Sequence, residues 1–219
     1  MGSRGEGCAG ALPWRFVGAV NGTVLTYDPA PPVGAPTKLG AGQVVSFATS
    51  DVVTVKSQDA SHPFYAAVYM TGSMYNASTT PPNSRTTGDP DFVNAVPSDQ
   101  FLDHYVFFTD HTYANTTLTM VRRKTSKGFL RVTLDCAGEV SGWAPIGTSG
   151  EYEYAWVQLT KTFQSQAFAG GSCGYGRQGA SSDGPFSITV WGTDLDASYG
   201  FPGGMGLRPI MPVTVTVPK

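Results

Sequence analysis

The residues with chemical potential fall in a few short stretches. Gly170–Gly174 reads Gly-Gly-Ser-Cys-Gly and matches the G-x-S-x-G pattern of a serine nucleophile at Ser172. That chemistry needs a strand before the serine and a helix after it, so that the hydroxyl stands exposed on a strained turn. The residues that follow, Tyr175-Gly-Arg-Gln-Gly179, carry no helix signal. Gly174–Gly179 also matches G-x-G-x-x-G, but a dinucleotide site needs that pattern at the opening of a helix in a βαβ unit. Both matches therefore read as one Gly-rich surface loop, and no catalytic or cofactor-binding residue is expected there.

Three histidines, His62, His104 and His111, invite a metal or relay reading, because Asp103 and Asp110 directly precede two of them. A strand between His104 and His111 would hold them about 20 Å apart, too far to share an ion. Two acidic pairs, Asp89/Asp91 and Asp194/Asp196, could each add oxygens to a loop calcium site, yet six to eight ligands are needed. No metal site and no cofactor is expected. The basic group Arg122, Arg123, Lys124, Lys127 and Arg131 reads as a solvated hairpin turn. Tyr152, Tyr154 and Trp156 alternate, which puts them on one face of a strand. Facing solvent they would form a sugar platform; facing inward they would be core. Trp143 lies between strands without an evident core role and is the candidate ligand contact.

The elements that must position these residues are strands. Thr and Val each outnumber Leu about two to one, which suits pleated sheets. Charged residues are 14% of the 219, and the formal net charge is −2, so no basic surface for nucleic acid is expected. No apolar run reaches the length of a membrane helix, so no membrane insertion is expected. Met1–Gly7 has no apolar core of a signal peptide and reads as a leader or fragment edge. Short apolar runs recur between turn residues: Trp14–Val20, Thr23–Tyr27, Gln43–Phe47, Val52–Val55 and Phe64–Met70, then Tyr105–Thr109, Leu118–Val121, Leu130–Leu134, Tyr152–Leu159, Gln166–Ala169, Phe186–Trp191 and Val213–Val217. Asn21-Gly22 predicts a hairpin.

These runs predict an all-β fold of antiparallel, sandwich-like units, in two divergent copies packed together. Pro63–Thr71 aligns with Pro185–Thr193 without a gap, and Asn21–Thr26 resembles Asn115–Met120. The expected organisation is residues 1–11 as leader, 12–73 as a first β unit, 74–100 as linker, and 101–219 as a second β unit. An insertion is expected around Gly138–Gly150. Cys136 and Cys173 each follow a predicted strand. A bridge between them would close about 37 residues and add roughly 3–4 kcal/mol; the alternative is two reduced thiols. The low-charge, Thr- and Gly-rich composition favours export and the bridge. Cys8 would then be unpaired or partnered outside this sequence.

The stretches Trp14–Tyr27, Leu39–Phe47, Ser57–Phe64, Tyr105–Asp110, Asp135–Gly138 and Tyr199–Gly204 resemble, in this order, the N-terminal domain family of IgGFc-binding proteins. The bacterial branch is the more similar. The resemblance spans about Cys8 to Pro212 and implies a portion of a larger secreted or surface protein. Family members are usually longer upstream, so the chain reads as the C-terminal portion of a module. The resemblance brings no catalytic residues. Together these readings predict a non-enzymatic extracellular binding or adhesion module for a glycan or protein ligand at a cell surface, in matrix or in mucus. The alternative is a secreted hydrolase or its accessory carbohydrate-binding domain.

Overall fold

The computed structural model describes residues 11–73 and 87–207. Among them the only helical element is one 3-10 turn, Ser98–Gln100. The rest is antiparallel β structure, as the alternating runs predict. The first unit holds β1 (Leu12–Gly18), β2 (Thr23–Asp28), β3 (Lys38–Leu39), β4 (Val44–Thr49), β5 (Thr54–Ser57), β6 (Phe64–Tyr69) and β7 (Phe92–Asn94). They form two sheets, β4-β1-β6-β7 and β3-β2-β5. Alternate side chains meet between them: Phe16, Leu25, Tyr27 and Leu39 are buried, with Phe47, Phe64 and Ala66 packed against them.

The second unit holds β8 (Leu102–Thr109), β9 (Asn115–Arg123), β10 (Val132–Leu134), β11 (Gly138–Glu139), β12 (Ala144–Ile146), β13 (Tyr152–Lys161), β14 (Gln164–Phe168), β15 (Gly171–Cys173), β16 (Gly176–Asp194) and β17 (Ala197–Pro202). All ten belong to one sheet system centred on β16. That strand changes partners along its length. Ala180–Ser182 pairs with β10, whereas Phe186–Thr193 pairs with β9. A break in register between Ser181 and Phe186 separates the halves.

The two units share one topology. In the first, β1 lies between β4 and β6, and β7 follows β6; β2 lies between β3 and β5. In the second, β9 lies between β13 and the later half of β16, and β17 pairs with that half; β10 lies between β11 and the earlier half of β16. Strands β5 and β6 of the first unit are thus fused into β16 in the second. The aligned Pro-Phe segments occupy equivalent positions. Phe64, Ala66 and Val68 point inward in one, and Phe186, Ile188 and Val190 in the other. The second sequence correspondence fails: topology matches β9 to β1, whereas Thr23–Thr26 lies in β2.

Three other expectations change. Asn21-Gly22 does turn the chain, with Gly22 at φ 76°. It carries β1 into one sheet and β2 into the other, so the turn is a sandwich corner and no hairpin forms there. Within the stretch expected as linker, Phe92–Asn94 pairs with β6 and completes the first sheet. Gly138–Gly150 contains β11 and β12; the latter adds to the edge of β13. The predicted strand Val213–Val217 and residues 74–86 of the expected linker lie outside the described residues.

The main core is built from β8, β9, β10, β13 and β16, with Leu118, Met120, Val132, Leu134, Leu159, Phe186, Ile188 and Val190 fully buried. Cys136, in the turn from β10 to β11, is bonded to Cys173 at the end of β15. That bridge pins the β14–β15 hairpin to the core. A second cluster joins the units: Leu12, Val68, Met70 and Val93 of the first surround Trp191 of the second. The Trp191 indole N–H donates to Thr119 Oγ1 at 2.9 Å.

Candidate binding site

The residues that resemble catalytic groups are engaged locally. Ser172 lies in β15, and its hydroxyl donates to the Gln166 carbonyl at 3.3 Å. The chain continues into another strand, so the nucleophile turn is not built. His62 contacts Asp59 at 2.7 Å, His104 contacts Asp103 at 2.9 Å, and His111 lies 3.9 Å from Asp110. Each imidazole holds its neighbouring carboxyl below the usual range or adds to that effect; for Asp110 the larger cause is bonding from Thr112. His104 lies within β8 and His111 beyond its far end.

Folding brings the two acidic pairs into one neighbourhood. The Gly88 N–H donates to the Asp194 carbonyl at 2.9 Å, and the Asp89 N–H donates to Ser198 Oγ at 3.0 Å. Among the described residues no group of three His, Cys, Asp or Glu side chains could hold a metal ion.

The arginines of the basic cluster are ion-paired, while Lys124 and Lys127 stand exposed at the Thr125–Gly128 turn. Arg122 donates to Glu153 at 2.8 and 2.6 Å and to the Leu130 carbonyl at 3.0 Å. Its guanidinium stacks on Trp143 at 4.3 Å and on Phe129 at 5.3 Å. Arg123 pairs with Asp99 at 2.7 Å. Trp143 is half-buried, and its indole N–H donates to the Val140 carbonyl at 2.9 Å. One ring face therefore belongs to Arg122. Tyr152, Tyr154 and Trp156 lie half-buried on the face of β13 away from the main core, which Ala155, Val157 and Leu159 occupy.

The same face of the sheet, chiefly on β9 and β16 and with Tyr152 alone of these three aromatics, forms one wall of a groove between the units. Thr119, Val121, Tyr152, Ser187, Thr189 and Trp191 line it from the second unit. Trp14, Val53, Val55, Phe64 and Val68 line it from the first, and the segment 93–101 crosses its end. The cavity volume is about 1410 Å³. Asp28 clasps the groove's rim. Its carboxylate accepts the Thr148 N–H at 2.9 Å, the Thr148 hydroxyl at 2.7 Å and the Ser149 N–H at 2.8 Å. These bonds hold its carboxyl well below the ordinary range although it is only half-buried. Gly147, at φ 67°, is required beside it: a Cβ there would lie 2.3 Å from Asp28 Oδ2.

A second surface covers the outer face of the first sheet. Arg15, Tyr65, Tyr69, Phe92 and Asn94 project there, opposite the sandwich interior. Tyr65 is 41% exposed and Phe92 52%. Residue-type reading missed this surface and the Asp28 clasp. The available signal was the spacing of Tyr65 and Tyr69, two alternations apart on β6.

The fold defines a class: a two-unit, all-β protein built of paired antiparallel sheets. The chain belongs to the family described as IgGFc binding protein, whose profile matches residues 3–192. No curated protein and no solved structure matches it.

Proposed function

We propose that this chain is a non-catalytic binding module that works outside the cell and grips a protein or glycoprotein ligand in the groove between its units. The observation that carries this reading is the groove itself. Its volume of about 1410 Å³ exceeds the roughly 300–1,000 Å³ of small-molecule pockets. Apolar and aromatic side chains line it, with Asp28, Asp59, Asp99 and Glu151 among its carboxylates. An apolar, aromatic-lined groove of that size suits a loop of another polypeptide with an apolar tip. Family membership supports a protein ligand, and an antibody Fc is the first to test. The Cys136–Cys173 bond supports an oxidising compartment such as a cell surface, matrix or mucus. No helix among the described residues is long and apolar enough to cross a membrane.

Trp143 stands outside this proposal, because it packs against the main core beside Arg122 and does not line the groove. The test is biosensor binding of the purified chain to immunoglobulin G, its Fc fragment and mucin. Val53→Arg and Val121→Arg would place a cation and bulk in the groove. Each should weaken binding at least about tenfold, with the circular dichroism spectrum unchanged. Binding indifferent to both substitutions overturns the groove assignment. Esterase or glycosidase turnover abolished by one substitution would favour the hydrolase alternative.

A further inference from the structure

We propose that the outer face of the β4-β1-β6-β7 sheet binds a carboxylate-bearing saccharide residue, with Arg15 taking the carboxylate and Tyr65, Tyr69 and Phe92 taking the ring. The proposal does not depend on the groove: Arg15, Tyr69 and Phe92 lie outside it, and only Tyr65 and Asn94 also reach its lining.

The argument starts from register. Arg15 pairs laterally with Ala67 on β6, and Ala67 pairs with Asn94 on β7. Tyr65 and Tyr69 flank Ala67 along the strand. A residue with a single methyl group thus sits at the centre, with four longer side chains around it. Ala67 itself is 1% exposed, so the four side chains close over it and present their outer surfaces as one continuous patch. The Cα atoms of Tyr65 and Tyr69 stand about 13 Å apart along β6, and those of Arg15 and Asn94 about 10 Å apart across it. A patch of that size matches one pyranose ring laid on the tops of these side chains rather than a broad protein contact.

The walls are held in place. Tyr65 Oη contacts Asn94 Oδ1. The Arg15 guanidinium lies over the Tyr69 ring at 4.9 Å, and Tyr69 packs on Phe92 with centroids 5.7 Å apart. Arg15 Nε donates to Ser46 Oγ at 3.3 Å, which orients the head group. Unlike Arg122, Arg123 and Arg131, Arg15 has no carboxylate partner among the described residues. Asp91, beside Phe92, accepts the Phe92 N–H at 2.7 Å. A planar guanidinium with its outer nitrogens available matches a carboxylate with two parallel hydrogen bonds. Exposed aromatic faces beside it supply apolar area for the C–H face of a sugar. A neutral sugar would leave the cation unused; a small anion would leave the rings unused.

The test uses the purified chain and, as separate arms, N-acetylneuraminic acid and glucuronic acid, their methyl esters, and galactose, followed by NMR chemical-shift changes. Either free acid should shift resonances of β1, β6 and β7, and the two arms identify which class is preferred. The esters and galactose should bind at least about tenfold more weakly. Arg15→Ala should abolish the preference for the acid, and Arg15→Lys should restore it in part. Phe92→Ala should weaken all saccharides alike. Val121→Arg, in the groove, should change none of this. Equal binding of acid and ester, unaltered binding by Arg15→Ala, or no saccharide binding at all overturns the proposal. An Arg15-dependent protein ligand in place of a saccharide also overturns it.

Discussion

Trp191→Ala should remove the largest single contribution to cohesion between the units. The indole is 1% exposed and, among the described residues, is the only one that the second unit contributes to the buried cluster of Leu12, Val68, Met70 and Val93. Truncating a buried Trp to Ala costs about 3–5 kcal/mol through lost burial and the cavity left behind. The lost N–H also orphans Thr119 Oγ1, on a side chain only 3% exposed, which adds about 1 kcal/mol. The total, about 4–6 kcal/mol, is a large part of the roughly 5–15 kcal/mol that a domain holds. With a urea slope of about 2.5 kcal/mol/M, the unfolding midpoint should fall by about 2 M. Trp191→Phe keeps most ring contacts and loses the donor, so about 1–2 kcal/mol is expected. The assay is urea unfolding followed by far-UV circular dichroism. A midpoint shift below about 0.4 M for the alanine variant would show that the units do not depend on this contact.

Removing the disulfide as Cys136→Ser with Cys173→Ser should cost about 3.8 kcal/mol in the chain-entropy relation for the 37-residue separation, checked by urea unfolding under oxidising conditions. Gly147→Ala should destabilise by at least about 1 kcal/mol because its φ is left-handed, and its added methyl should also break the Asp28 clasp, visible as faster amide exchange at Thr148 and Ser149. The Asp28 carboxyl is held below its unfolded value of about 3.9, so its contribution is complete above that pH and declines as pH falls toward the depressed folded value. Asp28→Asn should therefore flatten the acid limb of a stability profile below about pH 4, and an unchanged limb would contradict the clasp. Ser172→Ala should leave ligand binding within about twofold, because the hydroxyl meets only a backbone carbonyl.

Much of this architecture was legible in the residues alone. Alternating apolar residues and abundant Thr and Val specify strands, because side chains alternate across a pleated sheet whatever the neighbours are. The gapless match of Pro63–Thr71 with Pro185–Thr193 already marked equivalent strands, since an inward phase of Phe, aliphatic and Val repeats only in register. The pairing of Cys136 with Cys173 followed from composition and position. Partner choice was not legible. Asn21-Gly22 specifies a turn, but whether that turn joins neighbours in one sheet or crosses a sandwich depends on which faces must be buried. Trp143 carried no sign that Arg122, 21 positions earlier, would stack on it. Nor did the alternation of Tyr152, Tyr154 and Trp156 say that a groove lay on their side of β13. Local sequence sets which face of a strand is apolar; only long-range packing decides what lies against it, and so whether Arg15 meets a carboxylate or faces solvent beside Tyr69.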